Sequence, residues 1–261
     1  MKYKIGMRFA MIQSVSRNSW ICFTLFVLTL AAKSAAAGVS VLFVGNSLLY
    51  MNDLPTQFKK FAAASSLRAE VDVRSITAGG ATLSDHWKRG EALAQLREWH
   101  PKFLVLQGQS TEPLSAAQNF SYYARLFKDQ ADALQTRTVL FATWSRPAGD
   151  PFYKEAVSGG SPAEMQTRLN SAYASLAQNI GATLAPIGVA FEQAKRDAPT
   201  IHLRDGTQHP SPAGTYLATA VLFRTIFNSG ALGSTYYGGL PETTAHALQR
   251  IADTVPFTAK R

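Results

Sequence analysis

The sequence predicts an α/β fold, a three-layer α/β/α sandwich around a five-stranded parallel sheet. Short apolar runs alternate with longer amphipathic segments, a pattern that is typical of consecutive βαβ units. The predicted strand at residues 103–107, FLVLQ, is apolar on both faces, as in a strand that helices cover from both sides. With 261 residues and no internal repeat or linker, the chain can bury one core, and we expect a single domain over residues 38–261.

Each element has its own signal in the sequence. Apolar runs bounded by turn-forming residues predict the strands, in chain order 39–44, 69–76, 103–107, 138–142 and 183–187. Apolar residues at helical spacing predict the helices, in chain order 54–64, 83–89, 91–99, 116–134, 162–180, 189–196, 212–227 and 241–251. Ser211 as N-cap and Pro212 in the first turn mark the start of the helix at residue 212.

The first 37 residues have the pattern of a secretory signal peptide. Positive side chains at Lys2, Lys4, Arg8 and Arg17 precede an apolar run at residues 20–32, and the A-x-A sequence at residues 35–37 is a cleavage site. The apolar run is short for a membrane span, although an uncleaved anchor is the alternative. We expect cleavage after Ala37, no stable membrane anchor, and a periplasmic or secreted bacterial protein.

Charge and cysteine content argue against nucleic-acid binding and against thiol-based sites. The formal net charge is +9, but residues 1–37 hold five basic and no acidic side chains, so removing them leaves +4. No run of Lys and Arg is interleaved with aromatic residues, so we expect no nucleic-acid partner. The single cysteine, Cys22, lies in the apolar run of the leader, so residues 38–261 have no disulfide, thiol nucleophile or thiolate metal site.

Small and polar residues follow the predicted strands. In chain order these segments are residues 45–47, 77–82, 107–111, 143–147 and, beyond the last strand and its helix, 205–210. Ligands of open α/β sheets bind outside the carboxyl ends of the strands. Together the segments supply a hydroxyl, backbone amides, a carboxamide and an Asp/His pair, which are the groups that acyl transfer needs.

Ser47 and His209 are the candidate nucleophile and general base. Ser47 lies too far before Asp53, where the next predicted helix begins, for simple capping of that helix. Pro210 places His209 in an extended loop, and Gly206 supplies a turn that lets the Asp205 carboxylate reach His209 Nδ1, leaving Nε2 free to take a proton. The alternative for Asp205 and His209 is a surface Asx-turn beside an incidental histidine.

The remaining candidates would bind the oxyanion or the substrate. The backbone N–H of Gly80 and the carboxamide of Gln109 are candidate oxyanion donors; the alternatives are a tight turn at Gly79-Gly80 and a hydrogen-bonding residue at a strand end for Gln109. Asn46, His86 and Trp144 are candidate substrate contacts, with core packing the alternative for Trp144. We expect no metal or other cofactor, because the H-x-x-D-x-x-x-H spacing of His202, Asp205 and His209 has no companion cluster.

These motifs resemble the SGNH superfamily, also called GDSL-type esterases and lipases. Ser47 in G-N-S matches the family nucleophile, Gly80 in G-G-A-T the second block, and Asp205 with His209 the last block. In the third block Gln109 of V-L-Q-G-Q-S stands where the family has Asn, and Asp205 lies four residues before His209 where the family acid lies three before. V-L-Q-x-Q-S and H-P-S-P-A-G-T-Y-L-A resemble a branch of bacterial SGNH-like proteins. The resemblance covers about residues 40–225 and implies a flavodoxin-like sheet.

The resemblance also implies an activity. The expected protein is an exported serine ester hydrolase that acts on acyl or acetyl esters, including small-molecule or carbohydrate esters, through an acyl-Ser47 intermediate. The oxyanion hole would consist of the Ser47 and Gly80 backbone amides and the Gln109 carboxamide. An O-acyltransferase of the same fold and a catalytically silent carbohydrate-binding protein are the alternatives, and the oligomeric state stays open.

Overall fold

Five parallel strands form the centre of the protein in the order β2-β1-β3-β4-β5. The computed structural model describes residues 38–256. The strands are β1 (Val39–Gly45), β2 (Val71–Thr77), β3 (Phe103–Leu106), β4 (Arg137–Phe141) and β5 (Thr183–Ala185). The prediction of a parallel, flavodoxin-like sheet is therefore confirmed.

Ten α-helices connect and cover the strands in the described residues. They are α1 (Ser47–Tyr50), α2 (Leu54–Ala63), α3 (Leu83–Arg89), α4 (Glu91–Trp99), α5 (Glu112–Ser115), α6 (Ala117–Ala133), α7 (Pro162–Ile180), α8 (Ile187–Asp197), α9 (Pro212–Phe227) and α10 (Glu242–Thr254). Two short 3₁₀ segments, Pro151–Lys154 and Ala156–Ser158, precede α7. The one-turn helices α1 and α5 were not predicted, because four residues are too few for a helical period to show in a sequence.

The two faces of the sheet belong to two separate hydrophobic cores. On β1, Val41 and Phe43 face the core that α2, α8, α9 and α10 cover. Leu42 and Val44 face the opposite core, which α3, α4, α6 and α7 cover. Successive side chains of a strand point to opposite faces, so an apolar run such as VLFV is buried on both sides. The three-layer arrangement is therefore confirmed.

The order of the strands creates a switch point beside β1. The chain leaves β1 toward β2 on one side and then crosses back to β3 on the other side. Val44 of β1 pairs with Leu106 of β3, so the segments that follow these two strands emerge next to each other. In open α/β sheets this is where ligands bind.

Helix α9 fixes the loop that precedes it against the core. Of its 16 residues 13 are buried, as expected for a helix that is apolar on all sides. Its N-cap, Ser211, accepts a hydrogen bond from the backbone N–H of Gly214 (3.1 Å) and donates one to the carbonyl of His202 (2.7 Å). A Cβ at Gly214 would lie 2.0 Å from the carbonyl oxygen of Leu203, so this position has room only for glycine. The first turn of α9 and the loop at residues 203–210 are thus in direct contact.

No helix within residues 38–256 is long and apolar enough to cross a membrane. The predicted signal peptide, residues 1–37, lies outside the described residues, and it stays a prediction.

Replacing Gly214 by alanine should destabilise the protein, although alanine has the higher helix propensity. Propensity alone would add about 1 kcal/mol to the free energy of unfolding. The close approach of Leu203 reverses the sign, and overpacking of this kind costs about 1–3 kcal/mol. Urea unfolding followed by circular dichroism measures the difference. Ser171→Ala, on the exposed face of α7, is the control and should stay within about 0.5 kcal/mol of the parent. A Gly214→Ala protein at least as stable as the parent would contradict this packing.

Candidate functional site

The turn after β1 is tied to both neighbouring strand ends. The backbone N–H of Asn46 donates to Oε1 of Gln107 (2.8 Å), and Gln107 is completely buried just beyond β3. A Cβ at Gly45 would lie 2.5 Å from the same oxygen, so glycine is needed for this approach. Asn46 Nδ2 donates to the carbonyl of Ala81 (3.0 Å), which lies in the segment after β2.

Ser47 begins α1 directly after this turn. The side chain of Asn46 caps the helix, because its Oδ1 accepts from the backbone N–H of Leu48 (3.2 Å). Ser47 itself is half-buried, and its Oγ lies 3.0 Å from Nε2 of His209. Residues separated by 162 positions thus form the serine–histidine contact that the sequence predicts.

His209 lies in a tight loop that its own backbone closes. Arg204 and Pro210 form an isolated antiparallel bridge, and the backbone N–H of Asp205 donates to the carbonyl of His209 (3.2 Å). Gly206 has φ +96°, so the predicted glycine turn is present.

Asp205 does not reach His209 as the sequence predicts. Nδ1 of His209 lies 3.1 Å from Oγ1 of Thr207, and that hydroxyl lies 2.6 Å from Oδ1 of Asp205. The backbone N–H of Thr207 also donates to Oδ1 (2.9 Å). The hydroxyl of Thr207 therefore stands between the two predicted partners. The hydrogen bonds from Thr207 lower the pKa of the exposed Asp205 carboxyl.

A pocket of about 260 Å³ opens above Ser47. The side chains and backbone around it are mostly polar, and none is a carboxylate. The lining residues are Asn46, Ser47, Leu48, Tyr50, Gly79, Gly80, Gln109, Ser110, Arg146, Gln208 and His209. Ser47, Gly80, Gln109 and His209 thus border one cavity.

Gly80 and Gln109 both line this pocket. Gly80 has φ +67°, which favours glycine, and a Cβ there would have no atom within 4 Å. Oε1 of Gln109 accepts from the backbone N–H and hydroxyl of Thr111 (2.8 and 2.9 Å) and from the backbone N–H of Glu112 (3.2 Å). These bonds anchor the oxygen, so the Nε2 end of the carboxamide is left to donate.

Glu112 completes the support of Gln109. Its Oε2 accepts from the backbone N–H of Gln109 (3.1 Å), so the two residues hold each other in a reciprocal cap. Burial raises the pKa of the Glu112 carboxyl, whose side chain is almost entirely inside the protein.

Of the three predicted substrate contacts, His86 and Trp144 lie outside the pocket, and the side chain of Asn46 bonds to the backbone. His86 is 1% exposed, and its Nε2 bonds to the carbonyl of Gly45 (2.7 Å), beneath the pocket. Trp144 is buried, stacks on Phe191 with ring centroids 4.2 Å apart, and donates from Nε1 to the carbonyl of Gln208 (3.0 Å). His86 and Trp144 do not border the pocket, so both predictions are wrong: each ring faces inward and supports a loop. Asn46 borders the pocket, but its Oδ1 and Nδ2 are hydrogen-bonded to the backbone of Leu48 and Ala81.

Several residues of the site were missed in the sequence. Gln107 and Arg146 follow strands, and Thr207 lies in the segment at residues 205–210; Gln107 also belongs to V-L-Q-G-Q-S, but nothing in the sequence assigns a role to any of the three. Arg146 lines the pocket and is held by Ser110 Oγ (2.9 Å) and by Asp150 (3.3 Å). Tyr50, at the rim of the pocket, is 44% exposed.

Residues 38–256 contain no group of three or more His, Cys, Asp or Glu side chains placed to hold a metal ion. His202, Asp205 and His209 therefore do not form such a group in the described part of the chain.

Solved structures share this architecture. A protein from Slackia heliotrinireducens described as a candidate SGNH hydrolase is 30% identical, with a TM-score of 0.60 over 72% of this chain and 99% of that one. A protein of the DUF4886 family from Bacteroides uniformis is 17% identical, with a TM-score of 0.69 over 82% of this chain and 93% of that one. An acetylxylan esterase from Geobacillus stearothermophilus is 12% identical, with a TM-score of 0.54 over 78% of this chain and 98% of that one. No protein-family model and no curated protein matches the chain.

The buried His86 should make the protein sensitive to mild acid. Burial lowers the pKa of its imidazole, so below the ordinary value of about 6.5 the unfolded chain binds a proton that the folded protein does not. The stability that neutral His86 contributes is present above that pH and is lost as the pH falls. We expect the free energy of unfolding to drop between pH 7 and pH 5, and to drop less steeply in His86→Gln, by at most about 1.4 kcal/mol per pH unit.

Urea unfolding at several pH values measures this slope. His100→Gln, at an exposed helix end, is the matched control and should keep the parent slope. An unchanged slope in His86→Gln would show that the buried ring does not limit acid stability.

Proposed function

The chain belongs to the SGNH hydrolase superfamily, and from that premise we propose that it is an exported serine esterase that cleaves short acyl or acetyl esters. The observation that carries this proposal is the 3.0 Å contact between Ser47 Oγ and His209 Nε2 at the wall of an open, polar pocket. A nucleophile within hydrogen-bond reach of a base is the arrangement that serine acyl transfer requires. The contact and the partial exposure of Ser47 favour an enzyme over a catalytically silent binding protein.

Acylation begins when Ser47 Oγ attacks the ester carbonyl carbon. The hydroxyl proton passes to His209 Nε2, and the carbonyl electrons move onto the oxygen. Ser47, Gly80 and Gln109 border the pocket, and the backbone N–H groups of the first two with Nε2 of Gln109 would donate to this oxyanion. When the tetrahedral intermediate collapses, the bond to the alcohol oxygen breaks, and His209 gives its proton to the leaving alcohol.

Deacylation repeats these steps with water. His209 takes a proton from the water that attacks the acyl-Ser47 carbonyl, the oxyanion occupies the same donors, and the proton returns to Ser47 Oγ as the acid leaves. Each step uses groups that border the pocket of about 260 Å³.

The size and polarity of the pocket point to a small acyl group. A cavity of about 260 Å³ without a large apolar lining suits acetyl better than a long chain. A structural neighbour acts on acetylated xylan, so an acetylated carbohydrate is the substrate class we propose. The signal-peptide pattern of residues 1–37 supports the part of the proposal that the protein is exported to the periplasm or the medium.

Hydrolysis of p-nitrophenyl esters tests the proposal. The protein with residues 1–37 removed should cleave the acetate faster than the octanoate, because the pocket is short and polar. Ser47→Ala should reduce kcat/KM by at least about 10³, since no other group replaces the nucleophile. A fluorophosphonate probe should label the parent protein and not Ser47→Ala.

Ser66→Ala, an exposed serine outside the pocket, is the matched control and should keep the parent rate. Full activity in Ser47→Ala, or no activity toward any ester in a folded parent protein, would overturn the proposal.

Loss of the Gln109 donor should slow the chemical step. Gln109→Ala should lower kcat by about 10² with a smaller change in KM, because an oxyanion donor acts mainly in the transition state. Gln109→Glu keeps an oxygen that can accept from Thr111 and Glu112 but lacks the amide donor, so it separates oxyanion binding from loop capping. It should be at least as slow as Gln109→Ala. A Gln109→Glu enzyme with the parent kcat would remove Gln109 from the oxyanion hole.

A further inference from the structure

In a direct Ser-His-Asp triad the acid bonds to the histidine, whereas here the Thr207 hydroxyl lies between Asp205 and His209. Asp205 lies four residues before His209, and the loop between them is closed at its base by the Arg204–Pro210 bridge. Within the described residues the only partner of His209 Nδ1 besides solvent is the hydroxyl of Thr207, at 3.1 Å. Thr207 lies in the predicted segment at residues 205–210, but the sequence assigns its side chain no role.

The three hydrogen bonds of the Thr207 hydroxyl fix the direction of its proton. A hydroxyl has one proton to donate and two lone pairs that accept. Oγ1 of Thr207 has three partners: Oδ1 of Asp205 (2.6 Å), the backbone N–H of His209 (3.1 Å) and Nδ1 of His209 (3.1 Å). An ionised carboxylate only accepts, so the hydroxyl proton points to Asp205. The backbone N–H only donates, so one lone pair is taken.

The tautomer of His209 follows from this count. The hydroxyl has no proton left for Nδ1, so Nδ1 must carry the hydrogen and donate it to the second lone pair. Nε2 is then unprotonated and accepts from Ser47 Oγ, 3.0 Å away. This is the tautomer that a general base toward Ser47 needs. The same hydrogen bonds keep the Asp205 carboxyl ionised, since they lower its pKa.

We propose that Thr207 is the positioning residue through which Asp205 acts on His209, so that the site is a relay of Ser47, His209, Thr207 and Asp205. The hydroxyl fills the extra length of the Asp205–His209 spacing, and it keeps its own proton throughout the reaction. When His209 takes the proton of Ser47, Nδ1–H donates to a hydroxyl oxygen that its bond to Asp205 polarises, which stabilises the imidazolium. This role rests on the proposed esterase function.

The relay predicts that the threonine matters more than the acid. Thr207→Val has nearly the same shape but offers Nδ1 no acceptor, and we expect kcat/KM for p-nitrophenyl acetate to fall by about 10². Thr207→Ser restores the hydroxyl and should recover activity to within about fivefold of the parent. Asp205→Asn still accepts the Thr207 proton through Oδ1 and should cost less than about tenfold. In a triad with direct contact, the change from acid to amide costs about 10⁴ in kcat, because the tautomer is lost.

The double variant and a surface control complete the kinetic test. Asp205→Asn combined with Thr207→Val should be no slower than Thr207→Val alone, because the acid acts only through the hydroxyl. Thr167→Val, whose exposed hydroxyl bonds only within α7, should keep the parent rate. Either of two results overturns the relay: a Thr207→Val enzyme with near-parent activity, or an Asp205→Asn enzyme slower than Thr207→Val.

Nitrogen-15 NMR of the imidazole rings tests the same inference without any substrate. The His209 resonances, assigned by their absence in His209→Gln, should show the Nδ1–H tautomer in the parent and in Asp205→Asn, and a mixture or the Nε2–H tautomer in Thr207→Val. The same tautomer in Thr207→Val and in the parent would overturn the relay. If the folded parent cleaves no ester, the proposed function fails, and this spectrum still decides whether Thr207 sets the tautomer.

Discussion

The hydrogen bond from the backbone of Asn46 to the buried carboxamide of Gln107 holds the candidate active site together. It joins the ends of the neighbouring strands β1 and β3 at 2.8 Å, and the missing side chain of Gly45 makes the approach possible. An unmade bond at this depth would leave a buried amide unsatisfied, at a cost of about 1–3 kcal/mol. The orientation of Ser47, the next residue, follows from this one constraint.

The same turn links the segments that supply the other polar groups. Asn46 binds the carbonyl of Ala81, next to Gly80, and Gln107 lies two residues before Gln109. His86 adds a bond from below to the carbonyl of Gly45. Ser47, Gly80 and Gln109 are therefore each within two residues of a group in one set of buried bonds, and a buried polar network of this kind rigidifies a site only when its members are paired.

The candidate general base, His209, is positioned by a different part of the protein, the helix α9 that follows its loop. Helix α9 is buried on all sides, and its first turn presses on the carbonyl of Leu203 through Gly214. Each fully buried Leu, Val, Ile or Phe of such a helix contributes about 1.5–3 kcal/mol. This burial fixes where the loop of His209 meets Ser47, so hydrophobic packing, rather than a polar bond alone, sets the 3.0 Å contact.

The sequence by itself determined the five strands, the longer helices and the groups at the strand ends. Apolar runs and turn residues are local signals, and parallel strands must bring their carboxyl ends to one edge, so Ser47, Gly80, Gln109 and His209 could be placed together in advance. The tertiary structure alone decided which way each side chain faces. His86 and Trp144 turn inward because backbone carbonyls and an aromatic ring interact with them there, and none of these three partners is near in sequence. The position of Thr207 between Asp205 and His209 was equally hidden, since it depends on the three-dimensional path of a loop that the Arg204–Pro210 bridge closes.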